Sequence, residues 1–240
     1  MSPASAALAA LLFAGHALGD FVLQTRWMIE RKNRSAGLLA HVATVAGAHL
    51  AMLAPWFGVT VALAIGAVAA AHLLVDIGKG LVSRRWPERD LEWFTIDQAL
   101  HVAILWIAWR WLAPRVDLTS SLMGIGDDGW FRFGVLVTAY AFNLNGMSAV
   151  VTHVLARLKL LPRESGPSAG RLIGVLERMF AVTLVYLGHW DALGFLVAAK
   201  SLARFRDLDE RRRAEYYLVG TLVSLFGATL TALILRAILG

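Results

Sequence analysis

The sequence predicts an all-α fold, a polytopic membrane bundle of about eight helices. Three observations carry that prediction. Hydrophobic residues make up 58% of the 240 positions and charged residues only 17%, outside the usual range for a soluble domain. Mean hydropathy is +0.61. Several apolar runs follow one another, each long enough to cross a hydrocarbon core of about 30 Å.

Taken in order, the first helix is expected over Ser5 to Gln24. No charged side chain precedes Asp20, so the segment lacks the basic start of a cleavable signal and reads as a retained helix. The basic stretch Arg26 to Arg34 follows. A second helix covers Gly37 to Ala54 and ends at the uncharged turn Pro55-Trp56-Phe57-Gly58. The third covers Val59 to Val82, followed by Arg84, Arg85 and Arg89, with Trp86, Trp93 and Phe94 as interfacial aromatics. The fourth covers Trp93 to Ala113. The loop Pro114 to Gly129 carries Asp117, Asp127 and Asp128 against one basic residue, Arg115.

A fifth helix is expected over Trp130 to Leu158. The linker Lys159 to Ala169 holds Pro162, Gly166 and Pro167 and divides a five-helix half, residues 1–158, from a three-helix half, residues 159–240. Helix six covers Gly170 to Leu187. The turn Gly188-His189-Trp190-Asp191 leads to helix seven, Ala192 to Phe205, which is short for a full span. Arg211-Arg212-Arg213 precedes helix eight, Tyr216 to Leu239.

The basic loops all fall on one side of this eight-helix arrangement, which the positive-inside rule makes cytoplasmic, with both termini outside. The same rule accounts for the net charge of +6, so no nucleic-acid partner is implied. The absence of cysteine excludes disulfides and thiolate ligands. Any metal must therefore be held by His, Asp or Glu.

The residues that carry chemistry are imidazoles and carboxylates one helical turn apart. His16 and Asp20, and His72 and Asp76, stand at i and i+4; Asp97 and His101 repeat the spacing in reverse. Residues so spaced share a helix face. Ionisable groups inside apolar spans are costly and mark functional sites. Counted from the cytoplasmic ends, His16, His72 and His101 form an inner tier. Asp20, Asp76, Asp97 and His41 form an outer one, and His49 lies two turns deeper. His16 to His72 and Asp20 to Asp76 are the same interval, which suggests a parallel repeat of helices one and two in helices three and four.

Imidazoles at one depth suit a zinc-type divalent ion. His16, His41, His72 and His101 are the candidate metal ligands. Asp20, Asp76 and Asp97 are the candidate catalytic carboxylates; such groups can also complete the shell, hold a second ion or orient the imidazoles. A proton relay uses the same residue types. His153 and His189 lie outside the tiers and read as ordinary polar residues.

In the second half, Arg171, Arg178, Lys200 and Arg204 gather at the basic boundary and are candidates to bind a charged headgroup. The alternative for these cations is snorkelling, with an internal ion pair to Glu177. Asn143 and Asn145 are polar but isolated.

The pattern His-x-x-x-Asp-Phe-x-Leu-Gln at His16 to Gln24, with His72-x-x-x-Asp76, Asp97-Gln98-x-x-His101, Gly174-x-Leu176-Glu177-Arg178 and Ala199-Lys200-Ser201, resembles the bacterial membrane family called domain of unknown function 3307. The resemblance implies a single family unit in a bacterial inner membrane and no particular activity.

The residues themselves point first to an intramembrane metal-dependent hydrolase acting on a lipid or amphiphile at the cytoplasmic face, with membrane lipids as its partners. The competing expectations are a transporter or channel passing a proton or metal ion, and a structural membrane protein whose polar cluster fixes helix packing. Beyond His49 the helices offer mostly Ala, Val, Leu and Gly, which weighs against a continuous polar path. No Gly-x-Ser-x-Gly elbow supports a serine nucleophile.

Overall fold

The computed structural model describes residues 2–32, 35–116, 125–161, 169–203 and 211–240. Arg34, Asp117, Arg163, Arg204, Arg206 and the Pro162–Pro167 part of the linker lie outside them. The described residues are helical with no strand. Two compact units divide the chain, Met1–Ala141 and Phe142–Gly240.

In the first unit α1 spans Pro3–Ala17 and α2 Arg26–Glu30. The helices α3 Ser35–Met52, α4 Val59–Arg85, α5 Asp90–Leu112 and α6 Asp127–Ala141 follow. Helix α1 starts where Ser2 accepts a hydrogen bond from the Ser5 amide at 3.2 Å, with Pro3 at its first turn. The expected basic loop after Gln24 contains a short helix instead. Thr25 caps it, its hydroxyl accepting from the Met28 amide at 3.4 Å.

Helix α1 is the core of this unit and buries nine of its 15 residues. A helix apolar all round belongs in an interior. Leu8, Leu11 and Leu12 pack with Leu53, Trp56, Ile65, Trp109 and Leu112. Trp109 of α5 donates its indole N–H to the Ser5 carbonyl at 2.9 Å, which ties α5 to α1. Small residues set the remaining separations. A Cβ built on Gly15 would stand 2.9 Å from the His49 Cα, and one on Gly19 would stand 2.8 Å from the Val45 Cα. One on Gly134 of α6 would meet the Ala10 carbonyl carbon at 2.7 Å. These are small-residue contacts of the kind that let membrane helices approach closely.

The second unit contains α7 Met147–Arg157, α8 Ala169–Tyr186, α9 Trp190–Ala203 and α10 Arg211–Leu239. Its buried apolar residues include Ala181, Val182 and Val185 of α8, Ala228, Ala232 and Leu235 of α10, and Met147 and Leu155 of α7. Helix α9 packs on α8. Its 14 residues span about 21 Å.

Among the described residues, five helices are long and apolar enough to cross a membrane: Pro3–Val22, Ser35–Met52, Val59–Arg85, Asp127–Arg157 and Arg211–Leu239. Their outward faces are apolar, with Val59, Leu63, Leu74 and Leu81 exposed on α4 and Leu222, Phe226 and Leu230 on α10. Surfaces of this kind suit lipid better than water. Helix α5 carries Asp90, Glu92, Asp97 and Arg110, and α8 carries Arg171, Glu177 and Arg178, so both fall short of those five in apolar character.

Candidate metal centre

Four elements of the first unit bring the predicted pairs together. Helix α1 ends with His16 and passes into a π-helical turn, Leu18–Val22, which contains Asp20. Such turns are rare and often sit at functional positions. Helix α3 brings His41 and His49, both fully buried. Helix α4 brings His72 and Asp76, and α5 brings Asp97 and His101; all four are buried. The close approach at Gly15 and Gly19 presses the neighbouring residues His16 and Asp20 against α3.

The centre of the cluster is a set of four atoms. His41 Nε2 and His72 Nε2 are 3.1 Å apart. Asp20 Oδ1 is 3.5 Å from both. Asp76 Oδ2 is 3.4 Å from His41 Nε2 and 3.5 Å from His72 Nε2. A tetrahedral ion with bonds of about 2.0–2.2 Å sets its ligand atoms about 3.3–3.6 Å apart. The five separations therefore sit at or close to that spacing. Asp20 and Asp76, expected as catalytic carboxylates, stand at ligand spacing here.

The remaining imidazoles flank this set. His16 Nε2 lies 3.7 Å from the other Asp20 oxygen, Oδ2. The His101 ring centroid is 5.0 Å from that of His16 and 4.2 Å from that of His72. His49 also belongs to the neighbourhood, its ring centroid 6.5 Å from that of His16.

Outer contacts orient these rings. The Gln24 amide nitrogen is 3.2 Å from His41 Nδ1. His101 Nδ1 donates to the Asp97 carbonyl at 2.9 Å, and His49 Nδ1 donates to the Val45 carbonyl at 2.8 Å. Each of those bonds fixes the tautomer and leaves the Nε2 lone pair as an acceptor. Lys32 Nζ holds Asp76 Oδ1 at 2.8 Å. Lys79 Nζ holds Asp97 Oδ2 at 3.1 Å, and the Gln98 amide donates to the same oxygen at 3.0 Å.

Five buried atoms of the cluster have no hydrogen-bond partner among the described residues: Asp20 Oδ1, Asp76 Oδ2, Asp97 Oδ1, His49 Nε2 and His101 Nε2. A buried polar atom without a partner costs about 1–3 kcal/mol. All five are acceptors, and two lysines face three carboxylates. With the imidazoles neutral, one carboxylate charge is left without a lysine, and a cation, metal or proton, would offset it.

Lys32, Lys79, Gln24, Gln98 and the nearby His49 were not assigned from sequence to this site. Gln24 was visible only as part of a motif. Lys32 is one of four cations between Arg26 and Arg34, and no spacing singles it out. Lys79 stands three residues after Asp76 and so on a neighbouring face, a signal that could have found it.

In the second unit Arg178 is buried, not open to a ligand. Its Nε donates to the Asn143 carbonyl at 2.8 Å and its Nη2 to the Leu144 carbonyl at 3.2 Å. It also bonds the Ser148 and Ser224 hydroxyls. Asn143 and Leu144 belong to a second π-helical turn, Phe142–Gly146, whose displaced carbonyls Arg178 satisfies. Lys200 is ion-paired with Glu177. Arg171 is exposed and donates to the Asn145 side chain at 3.3 Å. Arg204 lies outside the described residues.

No curated protein and no solved structure matches the chain. A family match does exist, and it covers residues 8–124. Those residues contain every member of the cluster, from His16 to His101, whereas Arg171, Arg178, Lys200 and Arg204 lie beyond them. Residues 8–124 match the model of the family described as "Protein of unknown function (DUF3307)", domain of unknown function 3307, and that is the family this part of the chain is similar to.

Proposed function

We propose that the protein is an intramembrane metal-dependent hydrolase acting on a lipid or amphiphile at the cytoplasmic face. The observation that carries the proposal is that His41 Nε2 and His72 Nε2 lie 3.1 Å apart and each stands 3.4–3.5 Å from Asp20 Oδ1 and from Asp76 Oδ2, the separations of atoms that share one ion. Two imidazoles and two carboxylates suit zinc, which can expand to a fifth ligand during reaction. When bound, such an ion lowers the pKa of a coordinated water towards neutrality.

The chain's own groups supply the rest. Asp97 Oδ1 is buried with no hydrogen-bond partner, while Lys79 and Gln98 hold its other oxygen. In this reading it acts as general base. In hydrolysis of an ester or phosphoester, the water hydroxyl joins the acyl or phosphoryl atom and the proton passes to the leaving oxygen.

Lys32, Ser35, Asp76, Lys79, Ser83 and Arg84 line an open cavity of about 370 Å³. Its cations favour an anionic substrate group. In the second unit Arg171 is an exposed candidate for headgroup contact among the described residues.

The membrane arrangement belongs to the same reading: eight crossings, basic loops in the cytoplasm, both termini outside, and helices one and two repeated in three and four. The five long apolar helices support the membrane setting. The matching His16–Asp20 and His72–Asp76 pairs, at 3.7 and 3.5 Å, support the repeat.

A second reading rests on the lysine–carboxylate pairs. A cation reaching Asp76 competes with Lys32 for it, which is the behaviour of an ion-handling site. The two readings separate in one experiment. Detergent-purified protein is analysed for metal and assayed on ester and phosphoester amphiphiles, and reconstituted vesicles are assayed for zinc and proton flux. Chelator-sensitive hydrolysis, with metal lost in His72→Ala and kept in Asp97→Asn at roughly 100-fold lower turnover, supports the hydrolase. Flux without hydrolysis favours the alternative, and folded, metal-free protein ends both metal readings.

A further inference from the structure

We infer that the cluster is a two-metal centre, with a second cation held by His16, His101 and the second oxygen of Asp20. The inference rests on the metal reading above and extends it. Asp20 is the pivot. Its Oδ1 faces His41 and His72 at 3.5 Å. Its Oδ2 faces His16 Nε2 at 3.7 Å. One carboxylate thus presents one oxygen to each of two groups of imidazoles, which is how a bridging carboxylate serves a metal pair.

The second position has its own donor set. One ligand atom from each of His16, Asp20 and His101 lies within 4.8 Å of the others. The same holds for Asp20, His41 and His72, and for His72, Asp76 and His101. Asp20 is shared by the first two groups, and His101 by the first and third.

His101 supplies the independent observation. It is 2% exposed, and its Nε2 is buried without a hydrogen-bond partner among the described residues. Its Nδ1 proton is committed to the Asp97 carbonyl at 2.9 Å. The ring is therefore fixed in the tautomer whose Nε2 lone pair needs a positive partner, the usual arrangement of a metal-binding imidazole. His101 also lies within 4.8 Å of ligand atoms of His72 and Asp76, so it stands between the two positions.

The charge balance points the same way. Three carboxylates gather in this buried volume, and Lys32 and Lys79 engage Asp76 and Asp97. Asp20 has no lysine partner of this kind among the described residues. Two ions sharing Asp20 would place their positive charge where the lysines do not reach. Pairs of this kind stand roughly 3.5–4 Å apart and clamp the attacking and leaving oxygens of a displacement reaction. A phosphoester or carboxylic ester is the substrate class that uses such a clamp.

The test is metal stoichiometry of the full-length protein in detergent, after zinc loading and removal of excess ion. Two zinc ions per chain are expected, falling to one in His16→Ala and in His101→Ala. The manganese-loaded protein should show the electron paramagnetic resonance of a spin-coupled pair, replaced in either variant by that of an isolated ion. One ion per wild-type chain, with an isolated-ion spectrum, overturns the second site and leaves the first standing. No bound ion in wild type overturns the reading on which it rests. Should either variant fail to fold, wild-type stoichiometry and the wild-type spectrum decide the question alone.

Discussion

Lys32 places its ammonium 2.8 Å from Asp76 Oδ1, across 44 residues of chain, while Asp76 Oδ2 stands 3.4 Å from His41 Nε2. One carboxylate therefore holds a fixed cation on one oxygen and faces the imidazole group with the other. Lys32 is about a third exposed and Asp76 is buried, so the pair lies at the boundary between the cluster and the open cavity.

Replacing Lys32 with Gln should separate the two uses of Asp76. The repulsion between ammonium and bound ion disappears, so zinc affinity should rise about tenfold, ~1.4 kcal/mol. The metal-free protein should lose about 1–3 kcal/mol of stability, less than for a fully buried pair because Lys32 is partly solvated. Competition with a chromogenic chelator and melting of the stripped protein measure the two effects. Weaker zinc binding in Lys32→Gln would show that Lys32 orders the ligand set instead.

The seating of α1 on α3 gives a steric prediction. In Gly19→Ala the new Cβ meets the Val45 backbone at 2.8 Å. The helices must part, moving Asp20 from His41 and His72. The expected cost is about 1–3 kcal/mol, with lowered metal occupancy. Gly47→Ala on α3 has nothing within 4 Å of its Cβ and should retain both stability and metal. Equal behaviour of the two variants would contradict the close-approach account.

Arg178 makes a different prediction in the second unit. Its bonds to Asn143, Leu144, Ser148 and Ser224 satisfy a π-helical turn. Arg178→Met should cost about 3–5 kcal/mol, because these groups lose a buried charged donor. Arg178→Lys should recover only part, since an ammonium lacks the planar fork. Metal content should stay unchanged in whatever protein folds, because every proposed ligand lies in the first unit. Thermal melting in detergent together with elemental analysis reads both. A fully stable Arg178→Met would leave the turn's carbonyls without their assigned partner.

Orientation is tested by single cysteines in this naturally cysteine-free chain. Ser83→Cys at the end of α4 should react with a membrane-impermeant maleimide only from the cytoplasmic side. Phe57→Cys, in the exposed turn before α4, should react only from the opposite side. The reverse pattern would move the cluster's mouth to the other face.

The sequence by itself determined the helices and the polar pairs within them. Hydropathy marks the long apolar runs, and the spacing of His72 and Asp76 on one helix face follows from 3.6 residues per turn. Both are local properties, so reading along the chain finds them. The convergence of α1, α3, α4 and α5 was legible only as a matching of depths.

Only the tertiary structure decided which atoms face one another. By count along the helix His49 lies two turns deeper than the tiers, yet the close approach of Gly15 to the His49 backbone brings its ring beside His16. The π-helical turn at Leu18–Val22 departs from the period on which sequence reading relies, so the setting of Asp20 could not be counted out in advance. Lys32 and Lys79 reach the carboxylates through long side chains whose direction no spacing fixes. Arg178 looked like a cation at a membrane boundary, but a second π-helical turn places carbonyls within its reach. In each case the deciding quantity is a distance between helices, set by small residues and helix irregularities whose effect appears only when the helices pack.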